Sequence, residues 1–245
     1  MKHYRSDLEI VSKEDGSPVT KADLESANKI AEILESTQLP IMCEEHDIPE
    51  YEDRKDWSSF WCVDPLDGTK MFLAQNDEFA INIALVENGI PIFGAIGDPV
   101  NELILVGIPE YGAFILEFKE YHRPEKWKSL SPKLRANNPL SVICSRSYRH
   151  GSGYKLINEL ERKYGEIIFI MKGSALKFFD LVNGTADLYT RFGPTMEWDI
   201  AAGDAIISSV GGKMVQVENN QRMKYNKPSL YNPPFMAKTK PLIEE

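Results

Sequence analysis

Apolar positions along this chain change their spacing in a way that divides it into regions. From Thr20 to Ser36, Leu24, Ala27, Ala31 and Leu34 recur three and four residues apart, which marks one face of a helix. Thr20 precedes this run and Asp23 follows it three residues later, the pairing of a capping box, so the pattern predicts a helix over 20–36. After an acidic, turn-rich stretch from Glu44 to Ser59 come five short apolar runs: Phe60 to Val63, Phe79 to Val86, Pro91 to Ile96, Leu103 to Ile108 and Ala113 to Phe118. They have the length and composition of strands. The breaks among them, Asn88-Gly89, Asp98-Pro99 and Pro109 to Gly112, are turn chemistry too short for a parallel crossover, so neighbouring strands are expected to be antiparallel.

The texture changes after Tyr121. Tyr121 to Pro139 is rich in Pro, Lys and Arg, has no period, and reads as a connector. Strand-like Leu140 to Ser145 and Ile167 to Met171 then flank a helical pattern from Tyr154 to Lys163. Ser174 to Val182, Ala186 to Thr190, Asp199 to Val210 and Lys213 to Val217 continue the alternation, as in an α/β unit. The expected division is an α+β unit over 1–135 and an α/β unit over 136–245.

Composition narrows the classes. A chain of 245 residues, 42% of them hydrophobic, forms one large or two small domains with an ordinary core. With 28 Lys and Arg against 37 Asp and Glu the formal charge is −9, which argues against a nucleic-acid coat protein or a polybasic membrane binder. Cys43, Cys62 and Cys144 are odd in number and widely spaced, which suits reduced, buried thiols. Met1 to Ile10 lacks the apolar core of a signal peptide, and no spanning helix is evident. The expectation is a cytoplasmic protein, at most peripheral on the inner face of the cell membrane.

The densest chemical signal is Val63-Asp64-Pro65-Leu66-Asp67-Gly68-Thr69, where a strand ends between two carboxylates. Pro65 fixes one backbone torsion, Gly68 permits close approach, and the turn can aim Asp64, Asp67 and the Leu66 carbonyl at one point. Such oxygen ligands suit Mg²⁺. The competing reading is a plain strand-to-helix turn with Asp67 as a cap. Two further acidic features, Glu44-Glu45 after the Leu39 to Met42 run and Glu197-Trp198-Asp199 opening a helix, favour the metal. Taken alone they read as solvated loop charges and an N-cap; together with the turn they are what a multi-ion phosphoryl site needs.

These motifs resemble the inositol monophosphatase-like superfamily of Mg²⁺-dependent, lithium-sensitive phosphatases, whose marks are an E-E pair, D-P-[IL]-D-G-T and a later W-D, all here in order. Further likeness to its 3′(2′),5′-bisphosphate nucleotidase branch lies in Asp15 to Thr20 with Ala22-Asp23, Lys70 and Phe72, Glu78 to Val86, Ser145-Arg146-Ser147, Gly173 to Phe178, Tyr189 to Thr195 and Ala201-Ala202-Gly203. The resemblance implies a layered αβαβα sandwich, with an antiparallel sheet in the first half and an α/β second half. It implies two or three Mg²⁺ ions held by Glu44, Asp64, the Leu66 carbonyl, Asp67 and Asp199. Gly68 and Thr69 would contact the scissile phosphate. Thr69 and Glu44 would act on a metal-activated water, with Asp23 hydrogen-bonded to Thr69. For Asp23 the capping role and the catalytic role can coexist.

A bisphosphate nucleotide also needs a cation for the phosphate that is not cleaved. Lys177 and Arg191, with Ser174 beside them, are the candidates; solvated surface charge is their alternative. The implied reaction converts 3′-phosphoadenosine 5′-phosphate to AMP and phosphate, in a monomer or homodimer. Rival readings are an inositol monophosphatase, a fructose-1,6-bisphosphatase, or a non-catalytic metal- or nucleotide-binding regulator. His150 departs from the branch's Ser-Arg-Ser-His spacing and receives no role. The acidic stretch His46 to Trp57 reads as disordered, or as a flap lending Asp47 or Glu50 to an additional metal. Relatives carry a helix before the stretch matching Val11 to Thr20, so apolar surface on the 20–36 helix is expected to be uncovered here or covered by a partner subunit.

Overall fold

The computed structural model describes residues 1–5, 10–12, 18–144 and 153–244. The segments holding Asp15 to Ser17, Ser145 to Ser147 and His150 lie outside the described residues.

A two-stranded ribbon of β1 (Ile10–Ser12) and β2 (Pro18–Thr20) leads into α1 (Lys21–Leu34). The capping box forms as expected: the Thr20 side chain caps the helix start and Asp23 reaches back to the Thr20 N–H. Next come β3 (Ile41–Cys43), the single turn α2 (Tyr51–Arg54), β4 (Ser59–Asp67) and α3 (Thr69–Leu73). The hairpin strands β5 (Ala80–Glu87), β6 (Ile90–Asp98), β7 (Leu103–Ile108) and β8 (Gly112–Glu117) follow, then β9 (Lys128–Leu130). They form one seven-stranded sheet in sequence order, antiparallel throughout except for the parallel β3–β4 pair.

The remainder builds a second sheet from β10 (Leu140–Cys144), α4 (Gly153–Tyr164), β11 (Ile167–Met171), α5 (Lys177–Val182), β12 (Leu188–Arg191), α6 (Glu197–Ser209), β13 (Lys213–Gln216), β14 (Phe235–Lys238) and α7 (Pro241–Glu244). Its order is β11-β10-β12-β14-β13, parallel across the first three and antiparallel beyond.

Five layers result. Ala27, Ile30 and Leu34 of α1 pack on Cys43 and Val63 at one face of the large sheet. The other face meets α5 and α6, whose Phe178, Leu181, Ala202 and Ile206 share one core with Phe60, Ala84 and Ile96 and with Tyr189, Met214 and Phe235 of the second sheet. Leu156 and Leu160 of α4 and Leu242 of α7 cover the far side, over Val142, Leu188 and Met236. The mixed α/β sandwich is thus as expected.

Beside the β1–β2 ribbon, three further strands escape the hydrophobic pattern. β9 lies inside the stretch read as a connector, β3 is three residues long, and β14 inserts between β12 and β13. The apolar face of α1 is also rotated from expectation. Asp23 and Ala27 face inward while Leu24 is 45% exposed and Ile33 61%. The 46–57 stretch is not disordered: Arg54 is buried and its guanidinium donates to Pro49 O, Asn226 Oδ1, Lys227 O and Pro228 O. All three cysteines are buried, and none is in a disulfide among the described residues. Among the described residues no helix is long and apolar enough to cross a membrane.

Close approach of α6 to the large sheet depends on Gly94, where a Cβ would stand 2.2 Å from the Ala202 carbonyl oxygen. That oxygen is backbone within a buried helix and cannot step aside. Gly94→Ala should therefore destabilise the protein by about 1–3 kcal/mol, read as a lower chemical-denaturation midpoint with unchanged slope; an unchanged midpoint would contradict this packing.

Candidate metal and phosphate site

The site begins with an irregularity in β4. Asp64 pairs with Asn82 and Asp67 with Ala80, so three steps on β4 oppose two on β5, a bulge of one residue. In a regular strand residues three apart face opposite sides; the extra residue turns the second carboxylate toward the first. Pro65 fits here because it has no N–H to leave unpaired. Asp64 Oδ1 accepts from the Leu66 N–H at 3.0 Å, and Ser26 of α1 donates to the Pro65 carbonyl at 2.8 Å, which pins the bulge from both sides. Gly68 follows in a left-handed conformation (φ 95°), and a Cβ there would meet the Glu78 carbonyl oxygen at 3.0 Å. Gly68, not Asp67, is the N-cap of α3, so the plain-cap reading of Asp67 fails. Asp67 Oδ2 instead accepts from the Ala175 N–H and, at 3.4 Å, from Asn82 Nδ2.

Two other elements bring carboxylates to this bulge. Glu44 leaves the end of β3, held by its N–H donating to Val63 O. Asp199 sits in the first turn of α6, where Oδ2 accepts from the Met196 N–H at 2.8 Å. Its capping duty is thus that of the third helical residue rather than of the N-cap. Glu44, Asp64 and Asp199 each present an oxygen within 4.8 Å of the others. Asp67 joins them electrostatically, but neither Asp47 nor Glu50 belongs to the group among the described residues.

Burial and mutual repulsion act together on these acids. Asp64 is pushed well above the usual carboxylate range by burial and then by Glu44, Asp67 and Asp199. Asp199 is pushed up to about 8 by burial and by Asp67. Asp67 is raised by burial, a shift opposed by Lys177, the Ala175 N–H and Asn82. No ion pair among the described residues reaches Asp64, Asp67 or Asp199. An all-oxygen donor set without His or Cys, its carboxylates held close together, fits a hard divalent cation such as Mg²⁺.

Asp23 and Thr69 meet beside it. Asp23 is buried; Oδ2 takes the Thr20 N–H and hydroxyl, while Oδ1 lies 2.9 Å from Thr69 Oγ1. Capping and contact with Thr69 therefore use different oxygens of one carboxylate. The Leu66 carbonyl is 3.3 Å from the same hydroxyl.

The outer part of the site is cationic. A cavity of about 470 Å³ has Asp67 and Asp199 at its acidic end and Ser174, Lys177 and Arg191 in its walls, with Lys70 and Lys172 also lining it. The sequence reading did not single out Lys172, which pairs with Asp180 at 2.6 Å. Lys177 is 4% exposed, donates to the Ser174 carbonyl at 2.6 Å, and lies over the Tyr189 ring at 5.1 Å. Burial lowers its pKa to about 8, against the opposing pull of Asp67. Arg191 donates to Pro194 O, while its solvent-shielded Nε has no acceptor among the described residues. A larger cleft of about 1090 Å³ around Trp57, Tyr111 and Tyr225 contains none of the converging carboxylates.

Another feature missed from sequence is the network behind α6. Glu197, 0% exposed, accepts from the Asn226 and Lys227 N–H groups and from Lys227 Nζ, and Asn226 in turn exchanges hydrogen bonds with Arg54. It ties the start of the Asp199 helix to the stretch following Glu44.

The family model for the inositol monophosphatase family matches residues 1–243, and the chain belongs to that family. Among curated relatives, the 3′(2′),5′-bisphosphate nucleotidase CysQ of Shigella flexneri is 36% identical over 230 residues, 93% of this chain and 88% of that protein. The protein of the same name from Buchnera aphidicola is 39% identical over 236 residues, covering 92% and 82%. Among solved structures, CysQ from Bacteroides thetaiotaomicron superposes with a TM-score of 0.81 at 35% identity, covering 93% of this chain and 87% of that one.

The electrostatics predict how a cation stabilises the fold. Raised carboxylate pKa values mean that the metal-free folded state binds more protons than the unfolded chain, so this group's contribution worsens as pH rises from the ordinary carboxylate range toward about 8. A bound cation reverses that penalty. The rise in melting temperature on adding Mg²⁺ should be larger at pH 8 than at pH 5, where protons compete; an equal rise at both would contradict the proposed site.

Proposed function

We propose that this protein is a Mg²⁺-dependent 3′(2′),5′-bisphosphate nucleotidase that converts 3′-phosphoadenosine 5′-phosphate to AMP and phosphate. The observation that carries this reading is one cavity with the Asp67 and Asp199 carboxylates at one end and the Lys177 and Arg191 cations along its walls. Relatives named for this activity at 36–39% identity support the same substrate class.

Glu44, Asp64, the Leu66 carbonyl, Asp67 and Asp199 would hold two or three ions. Bound Mg²⁺ supplies the positive charge that a phosphate monoester needs and makes nearby water more acidic. Asp23, by accepting the only proton of the Thr69 hydroxyl, leaves the Thr69 oxygen free to accept from the attacking water. Glu44 orients that water from the other side. The Gly68 backbone and Thr69 receive the scissile phosphate, while Ser174, Lys177 and Arg191 hold the second one. Residues 1–135 thus supply most cation ligands, and 136–245 supply the last ligand and the substrate contacts. Three buried cysteines outside any disulfide support a reduced, cytoplasmic setting; the enzyme works as a monomer or homodimer on a small soluble nucleotide.

Phosphate release from 3′-phosphoadenosine 5′-phosphate, inositol 1-phosphate and fructose 1,6-bisphosphate tests this reading. The nucleotide should be preferred, with activity lost without Mg²⁺ and in Asp64→Asn; preference for either sugar phosphate would overturn it. In Lys177→Ala, KM for the bisphosphate nucleotide should rise by about 10- to 100-fold, the loss of one charge-assisted hydrogen bond, with far less effect on a simple monophosphate. Equal losses on both would remove Lys177 from substrate recognition.

A further inference from the structure

Asn82 sits in the middle of β5, directly opposite Asp64 on β4, and is 1% exposed. Cross-strand partners share a face, so its side chain lies beside Asp64 and enters the volume of the carboxylate cluster. Nδ2 is 3.4 Å from Asp67 Oδ2. An ionised carboxylate only accepts, so the amide must turn its nitrogen there, which directs Oδ1 elsewhere. That oxygen is sealed from solvent and has no donor among the described residues.

An orphaned buried acceptor destabilises the fold, because it gives up its hydrogen bond to water and gets none in return. Its neighbours in β5, Ile81, Ile83, Ala84 and Leu85, are apolar, and an apolar side chain at this position would avoid the penalty. With a cation present, Asp64 and Asp67 are both acceptors. The described residues offer that oxygen no donor, and water polarised by a divalent ion is a strong one.

We infer that Asn82 is a positioning residue of the cation site: its nitrogen steers the Asp67 carboxylate, and its oxygen accepts a hydrogen bond from a water molecule in the cation's hydration shell. This rests on the Mg²⁺ reading above and deepens it. Outer partners of this kind typically change metal affinity by about 10- to 100-fold when removed.

Titration calorimetry of Mg²⁺ into the wild type, Asn82→Leu and Asn82→Ala separates the two claims. Wild type that takes up no Mg²⁺ defeats the metal reading. Wild type that binds, with folded variants matching its Kd within about twofold, defeats the role of Asn82 alone. The expected result is a Kd weakened about 10- to 100-fold in both variants, with kcat at saturating Mg²⁺ largely recovered, a split that general loss of structure would not give. A measurement on the wild type needs no variant to fold: the Asn82 side-chain amide resonances should shift during Mg²⁺ titration and saturate with the calorimetric Kd. Resonances that stay in place through saturation would overturn the inference.

Discussion

Like charges forced together away from water are the constraint around which this molecule is arranged. Asp64 and Asp67 are turned to one side by a single-residue bulge, Asp199 is brought by a buried helix, and Glu44 arrives from the neighbouring strand. None of the three aspartates has an ion-pair partner among the described residues; burial raises all three, and repulsion from neighbouring carboxylates adds to the shifts of Asp64 and Asp199. Glu197 offers the contrast. It is fully buried, two residues from Asp199, and it has Lys227 and two backbone donors. Glu197 is satisfied by the chain, whereas Asp199 accepts from the Met196 N–H and forms no ion pair among the described residues.

Rigid surroundings keep the repelling groups from moving apart. Ser26 and the Leu66 N–H hold the bulge, Ala175 holds Asp67, and Met196 holds Asp199. The Arg54–Asn226–Glu197 network secures the start of α6 from behind. Helix α6 also packs against the large sheet at Gly94, with no room to withdraw. In the proposed reading, such preorganisation stores electrostatic free energy in the metal-free protein and returns it as cation affinity. On the same reading, the cationic wall of Lys177 and Arg191 lets a chain of net charge −9 receive a polyanion at one place.

The layered sandwich was largely legible in the sequence because its strands are apolar, short and joined by turn residues. Strand boundaries failed where tertiary pairing, not pattern, creates the strand. Lys128–Leu130 and Ile41–Cys43 have too few residues to show a period, and Phe235–Lys238 enters its sheet from far along the chain. On α1, an aspartate occupies the buried face because it serves Thr20 and Thr69, so apolar spacing pointed Leu24 inward wrongly. The converging acids could be anticipated from motif resemblance, as could Lys177 and Arg191. Asn82, Glu197 and Arg54 could not. Each is a polar residue whose burial depends on a partner remote in sequence, which local pattern reads as surface.

The most direct test of this account is a crystal structure of the protein grown with Mn²⁺ and examined by anomalous scattering. Density for at least one ion bounded by Glu44, Asp64 and Asp199, with Asp67 turned toward it, is the predicted result. Those carboxylates pointing apart, with no anomalous peak among them at saturating Mn²⁺, would contradict the account at its foundation.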